Sequence, residues 1–484
     1  MKARVVVSIA VVVALLLPIW LVGLPPLSDY INHLARAQVL AHLGENAAYR
    51  DAYASAWGPY PNLAFDIFAV PLASVLDVVL VGKLFLSVTV LVWCAGCHAL
   101  GHAALGRGSW RAPIACFFVM CEPFLLGYAN FTFGMGVALL ATACLLRSRS
   151  GSRTRWLVIA AALGLVAAVS HAAAIVTFCM VAACFGLSRV RDGLRDAIAE
   201  GAVAIPGGLY FSFWLVSQAD HSKDRSWASP GTSLRALATS ITPSYEPWAD
   251  PIVLAGLALA AGLALYFARP LRPNLALALS GALCAVAVFI APADFGGSYE
   301  ANGRYALGAW VMTLFAIRPD EAKLRRLAAP AAIALAALFG RQALVTRAWM
   351  RLGTELEAER AVLRTLPERA VLANVTFLDP RAPRSARLRE LALLHAPAFA
   401  VIDREATLPT LYAIPGVQPI AHKRPLYDAH RFKTGEIDRV DVERLETEMD
   451  AVWLCRAPDE LVAKLGKVTE LGRSGDCVLV RIER

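Results

Sequence analysis

Near the N-terminus the sequence reads Leu27-Ser28-Asp29-Tyr30-Ile31-Asn32-His33-Leu34-Ala35-Arg36, just after an apolar run and Pro25-Pro26. On a helix, Asp29, His33 and Arg36 stand at i, i+4 and i+7 and share one face. A carboxylate, an imidazole and a guanidinium gathered at a membrane surface could activate a hydroxyl and hold a phosphate. The plainer reading is a helix start, with Ser28 or Asp29 as N-cap and the polar face wetted. On the residues alone both readings stay open.

Three further places carry chemistry-bearing residues. Arg304-Tyr305 follows the short segment Asp294–Gly303 and opens an apolar run. An arginine at headgroup level matches phosphate oxygens with its planar fork, or it anchors the interface while Tyr305 joins an aromatic belt. Asp294 and Glu300 stand close enough in sequence to pair with it. Glu122, in Cys121-Glu122-Pro123, reads as the deepest ionisable side chain, and intramembrane carboxylates face a protein interior or a wet cavity. His171, beside Ser170 between two apolar runs, could line that same cavity or cap a helix. There is no phosphate-binding Gly-rich loop ending in Lys-Ser/Thr, no His-Glu-x-x-His pair and no Gly-x-Ser-x-Gly elbow.

The elements that must position these residues are membrane helices. Of 484 residues, 57% are hydrophobic and 18% charged, against roughly 45–50% and about 25% in an average soluble domain. The net charge of +9 does not indicate a nucleic-acid partner, because the basic residues sit between apolar blocks. Apolar runs near 5–24, 84–105, 112–128, 130–146, 156–169, 171–187, 202–217, 251–268, 274–291, 304–318 and 327–344 read as about eleven spans. The first lacks a small-residue cleavage site and reads as a retained anchor. Basic clusters set the orientation through the positive-inside rule: Lys2 with Arg4, Arg107 with Arg111, and Arg147, Arg149, Arg153 and Arg155. Arg189, Arg191 and Arg195 follow, then Arg269 with Arg272, and Arg318 with Lys323, Arg325 and Arg326. With all of these in the cytoplasm, the N-terminus is inside and everything after about 345 is outside.

That orientation requires residues 25–83 to hold no complete crossing. The stretch Asn62–Val81, with Asp66, Pro71 and Asp77, therefore reads as an interfacial or re-entrant segment whose carboxylates face water. A transmembrane part over 1–344 then precedes a small α/β domain over 345–484. In that domain a charged helix is predicted over 350–366, another helix around 385–396, and strands at 370–377, 451–455 and 477–482. Cys94-x-x-Cys97 reads as helix packing. Cys455 and Cys477 each fall in a strand-like run, and an oxidising compartment permits a bond between them.

An apolar first span, an Asp soon after the membrane exit, about eleven spans and a C-terminal outer domain together resemble the GT-C membrane glycosyltransferases. The stretch Asp29-x-x-Asn32-His33-Leu34-Ala35-Arg36, with Gly127-Tyr128-Ala129-Asn130-Phe131-x-x-Gly134 and His171, is also similar to a group of bacterial membrane proteins allied to that class. The resemblance implies a mainly α, polytopic transferase of a bacterial inner membrane, taking a sugar from a polyprenyl-phosphate lipid to an acceptor on the extracytoplasmic face. It implies that Asp29 is the catalytic carboxylate, with His33, Arg36, Glu122, Asn130, His171, Arg304 and Tyr305 around the substrate. The implied partners are the lipid-linked donor and membrane lipids. Many members carry two adjacent acidic residues where this chain has Ser28-Asp29-Tyr30, so no second ligand for a divalent metal is evident and no cofactor is assigned. Asp51, Asp66 or Asp77 could supply a second carboxylate if the loop folds back. The other reading is a non-enzymatic transporter or assembly partner for lipid-linked glycans, favoured by an intramembrane Glu122.

Overall fold

Each expected apolar run becomes helical, whole or in pieces, because the bilayer leaves backbone polar groups no partner but one another. The computed structural model describes residues 2–106, 110–217, 225–267, 272–295, 299–318, 326–379, 381–413, 416–428, 431–433 and 436–483. Arg107, Arg269, Lys323 and Arg325 of the expected basic clusters lie outside the described residues.

Among the described residues, seven helices are long and apolar enough to cross a bilayer: Arg4–Leu21, Val78–Leu105, Ala129–Ser148, Arg153–Ser170, Ala172–Arg189, Ala249–Phe267 and Ala328–Leu363. An eighth follows if Leu194–Ala202 and Ile205–Ser217, bent by 50°, form one crossing. The expected eleven are not reached by this measure. The run over 112–128 is broken into Arg111–Cys116, the 3-10 turn Phe117–Met120 and Glu122–Leu125, with Cys121 extended and Pro123 starting a new turn. Leu275–Ile290 has 16 residues and Tyr305–Ala316 has 12.

Small residues let these helices approach closely. A Cβ on Gly96 of Val78–Leu105 would stand 2.7 Å from the Gly136 carbonyl oxygen of Ala129–Ser148. The stretch Asn62–Val81 holds no crossing of its own. It forms a ten-residue helix, Ala64–Ala73, then a turn to Asp77, whose carboxylate accepts from Leu80 N at 3.0 Å and caps the long helix after it.

The helix Ala328–Leu363 has 36 residues. At 1.5 Å per residue that is about 54 Å, well beyond the roughly 30 Å of hydrocarbon. It therefore runs from the bundle to the tail, and its last turns pack on the strand Val468–Ser474. The tail carries a five-stranded sheet in the order Arg431–Lys433, Leu372–Leu378, Ala451–Cys455, Cys477–Ile482, Val468–Ser474. The first two pairings are parallel and the last two antiparallel. Three of these strands are legible as apolar runs. Val468–Ser474 is not, because it is an edge strand with a largely polar sequence and no fully buried residue.

The segment after the first span is sewn to the tail. Tyr53–Ser55 pairs antiparallel with Ile420–His422, Tyr49 Oη donates to the Val401 carbonyl at 2.8 Å, and helix Tyr30–His42 packs on Ala398–Arg404. Cys455 and Cys477 lie opposite each other in the sheet, bonded, with Cα atoms 4.0 Å apart.

The bridge closes a segment with a separation of 22 residues, for which loop entropy gives about 3 kcal/mol. Replacing both cysteines by serine should lower the unfolding free energy of the detergent-solubilised protein by about that much. Denaturation of the double variant at an unchanged denaturant concentration would show that the bond adds nothing.

Candidate active site

Asp29 occupies the N-cap position of helix Tyr30–His42, but with φ −76° and ψ −13° its side chain makes no capping bond. The capping reading therefore does not hold. Its carboxylate accepts instead from Tyr412 Oη at 2.7 Å. His395 stands behind, its Nε2 3.1 Å from Tyr412 Oη and 3.7 Å from Asp29 Oδ1. Asn32 donates from Nδ2 to His395 Nδ1 at 2.9 Å, which leaves the neutral imidazole's proton on Nε2, toward Tyr412 and Asp29. His395 is 2% exposed and Asp29 19%, so the carboxylate is the open end of a buried chain of donors. Its backbone is fixed from the other side. Asp29 N donates to the Leu126 carbonyl at 3.1 Å, and a Cβ on Gly127, which has φ +88°, would come within 2.7 Å of Asp29 N. Only glycine suits that turn.

Arg36 faces inward. Its Nε and Nη2 meet Asp66 Oδ1 and Oδ2 at 2.7 and 2.8 Å, and Nη1 donates to Gln418 Oε1; neither charged side chain is exposed. Asp66 therefore does not face water as expected: the helix Ala64–Ala73 turns it into the protein, where only a guanidinium makes a carboxylate tolerable. Arg36, with its fork filled, positions the helix rather than presenting itself to a substrate. Its Nη2 also meets His33 Nδ1 at 2.9 Å. Burial first, then Arg36 and His171, hold the His33 imidazole well below its usual range, so it is neutral near pH 7. Asn130 accepts from Phe65 N at 2.7 Å and donates to the Asn62 carbonyl at 2.9 Å, clamping the start of the Asp66 helix. It too is a positioning residue.

Arg304 is 4% exposed and enters from the turn Asn302–Arg304, which Asn302 secures by donating to the Val288 carbonyl at 2.8 Å. The guanidinium lies 4.3 Å over the Tyr128 ring, donates to the Tyr299 carbonyl at 3.0 Å, and places Nη1 3.1 Å from His171 Nε2. His171 caps helix Ala172–Arg189, its Nδ1 accepting from Ala173 N at 3.0 Å. A neutral imidazole that accepts at Nδ1 carries its proton on Nε2, so Nε2–H and the Arg304 N–H face each other donor to donor. An oxygen anion between or beside them would relieve that contact. The Tyr128 phenol, pushed up mainly by burial, is raised further by Asp29 and lowered by Arg304. Both charges thus act on one ring. Tyr305, next in sequence, packs against the bundle core, and Asp294 accepts from Ser226 Oγ at 2.5 Å.

Glu122 is paired across the molecule. It forms an ion pair with Arg384 of the tail, Arg384 Nη1 donates to Thr239 Oγ1, and Glu122 N donates to the Ser240 carbonyl at 2.9 Å. The broken helix around Pro123 delivers it to the tail end of the bundle, so its carboxylate is a strut between bundle and tail.

No protein-family model and no curated protein matches the chain. Two solved structures do. The crystal structure of ArnT from Cupriavidus metallidurans bound to undecaprenyl phosphate aligns at 12% identity with TM-score 0.51. The structure of ArnT in the apo state aligns at 13% with TM-score 0.55. In each, 99% of this chain and 98% of the other are covered. The chain has a GT-C fold. This makes it a membrane protein of the GT-C architecture, with its strands confined largely to the C-terminal region.

Within that GT-C fold, sequence reasoning missed His395, Tyr412, Gln418 and Arg384. Each reaches its partner across hundreds of residues, and no local spacing marks them. The Arg36–Asp66 pair yields a direct check. Removing one partner of a fully buried pair typically costs about 3–5 kcal/mol. Asp66→Asn should lower thermal stability in detergent accordingly, and adding Arg36→Gln should recover part of the loss. Unchanged stability of the single variant would mean that the pair is solvated.

Proposed function

We propose that the protein is a GT-C-type glycosyltransferase of a bacterial inner membrane, moving a sugar from a polyprenyl-phosphate-type donor to an acceptor on the extracytoplasmic face. The observation that carries this reading is the short turn 126–128: the Asp29 amide bonds to the Leu126 carbonyl at its start, and the buried Arg304 guanidinium lies over the Tyr128 ring at its end. The fold is consistent with it, and the ArnT neighbour holds undecaprenyl phosphate, a lipid carrier of the same class.

In the proposed step, Asp29 takes the proton of the acceptor hydroxyl as a general base. The acceptor oxygen attacks the anomeric carbon, and the bond to the phosphate oxygen breaks with its electron pair leaving on the lipid phosphate. Direct displacement inverts the anomeric centre. Arg304 and the Nε2–H of His171 receive the charge that develops on the leaving group, turning their donor–donor contact into two charge-assisted or polar hydrogen bonds. His395 and Tyr412 orient the base. His33, Arg36 and Asn130 hold the helix that carries it. The non-enzymatic reading drew on an intramembrane Glu122, and Glu122 is tied to Arg384 instead.

The orientation belongs to the same proposal: the N-terminus is cytoplasmic, residues 1–344 form the membrane part, and 345–484 form a periplasmic α/β domain that helps select the acceptor. A reporter fused after Arg369 should then score as periplasmic; a cytoplasmic signal would reverse the assignment.

Asp29→Asn tests the chemistry. Asparagine keeps the size and can still accept from Tyr412, so the protein should fold and insert normally. What it loses is the proton-accepting charge, and activity should fall by the order of 10²–10⁴-fold. Asp77→Asn is the matched control, since asparagine caps a helix about as well as aspartate. Complementation of the envelope phenotype of a deletion strain provides the readout without naming the sugar. Full complementation by Asp29→Asn at native expression would remove Asp29 from the mechanism.

A further inference from the structure

A cavity of about 630 Å³ lies in the tail between the last turns of helix Ala328–Leu363 and the disulfide-bonded strands. That volume falls within the range of small-molecule sites, about 300–1,000 Å³. Its floor is apolar, formed by Ala358, Leu393, Leu394 and the Cys455–Cys477 bridge. Its polar lining includes four carboxylates, Glu355, Glu359, Glu390 and Asp476, against two guanidiniums, Arg351 and Arg456. Arg456 is taken by Glu390 at 2.8 Å, and Arg351, half-exposed, leans to Glu246 outside the cavity.

Glu359 has no such partner. It is 4% exposed, and its Oε2 is buried without a hydrogen bond. Its Oε1 lies 4.0 Å from the Cys477 sulfur, which is bonded to Cys455 and has no proton to donate. A buried carboxylate with no donor at either oxygen is costly, and it is relieved either by taking up a proton or by a bound cation. Among the described residues no cluster of three or more His, Cys, Asp or Glu converges to hold a metal ion. An organic cation fits better, because methylene groups can lie on the apolar floor while an ammonium reaches the acid.

We propose that this cavity binds a small, water-soluble aliphatic amine, with its primary ammonium donating to Glu359 and its carbon chain against the disulfide and Leu393–Leu394. The proposal stands apart from the transferase reading. A lipid headgroup is a poor candidate because of height. With Ala328 at one edge of the bilayer, Glu359 lies about 46 Å along the helix at 1.5 Å per residue, beyond the roughly 40–45 Å of a bilayer with its headgroups.

Spermidine is a suitable probe for the purified full-length protein in detergent, followed by calorimetric titration and by thermal unfolding. Saturable binding is expected, together with a rise in Tm. Glu359→Gln removes the charge at nearly constant volume and should weaken binding about tenfold or more, since a hydrogen bond to a charged group carries that much. Glu355→Lys, exposed and one turn before Glu359, offers an ammonium from within the chain at i, i+4. It should abolish spermidine binding while raising Tm without ligand. Absence of saturable binding to the unmodified protein would overturn the proposal. So would unchanged affinity in either variant, because Glu359 would then be a neutral buried acid with no ligand to meet.

Discussion

Two opposite charges with no exposure to water, Arg36 and Asp66, govern the shape of the region around Asp29. Desolvating each ion costs several kcal/mol, and only near-ideal geometry with further hydrogen bonds offsets it. The pair meets both conditions: two parallel N–H···O bonds join the side chains, and Gln418 and His33 take the remaining guanidinium edges. These partners come from three separate stretches of chain: helix Tyr30–His42, helix Ala64–Ala73 and the tail. None can slide or rotate without stranding a charge. The ion pair therefore acts as a register pin, and its worth lies more in specifying one arrangement than in net stability.

Asp29 inherits its place from that pin. It stands one residue before the helix that Arg36 locks, so the helix can present it in only one direction. The tail then adds Tyr412 and His395, whose order of donation is fixed because Asn32 occupies His395 Nδ1. A carboxylate held by oriented donors at the end of a rigid helix is fixed in position and direction. The same logic explains why Gly127 and Asn130 stand close together in sequence. Gly127 lets the chain pass against the Asp29 backbone, and Asn130 secures the Asp66 helix.

Much of this was legible in the sequence, and the limits have physical causes. Apolar runs mark where helices form, because hydrocarbon demands them. They do not report breaks, so 112–128 reads as one span although Cys121 and Pro123 divide it. Helical spacing places Asp29, His33 and Arg36 on one face, but it cannot tell which member looks toward an opening and which toward a partner. Arg36 and Asp66 look alike on paper as solvated surface charges; their burial depends on each other. Glu122 misled for the complementary reason. An acid within an apolar run reads as intramembrane, while its true environment is decided by Arg384, 262 positions away. Cys455 and Cys477 were accessible because each sits in a short apolar strand-like run, and neighbouring strands supply the geometry.

The surroundings of Arg304 show how far a backbone requirement can reach. Helix Ala172–Arg189 begins directly after a tight turn from Ser170, and its first amides need an acceptor. No Ser, Thr, Asn or Asp stands at the cap; His171 does, and it meets the need with Nδ1. That one bond decides the tautomer, which puts a proton on Nε2, which in turn faces Arg304. Burial and the neighbouring guanidinium both hold the imidazole well below its usual range, so it stays neutral rather than adding a second full charge. Tyr128 covers one face of the guanidinium and leaves its edge for hydrogen bonding. The outcome is a pair of adjacent donor groups with one net positive charge. Such a pair favours an oxygen anion placed beside it over a further donor. A helix cap thereby sets the tautomer of the imidazole that Arg304 meets.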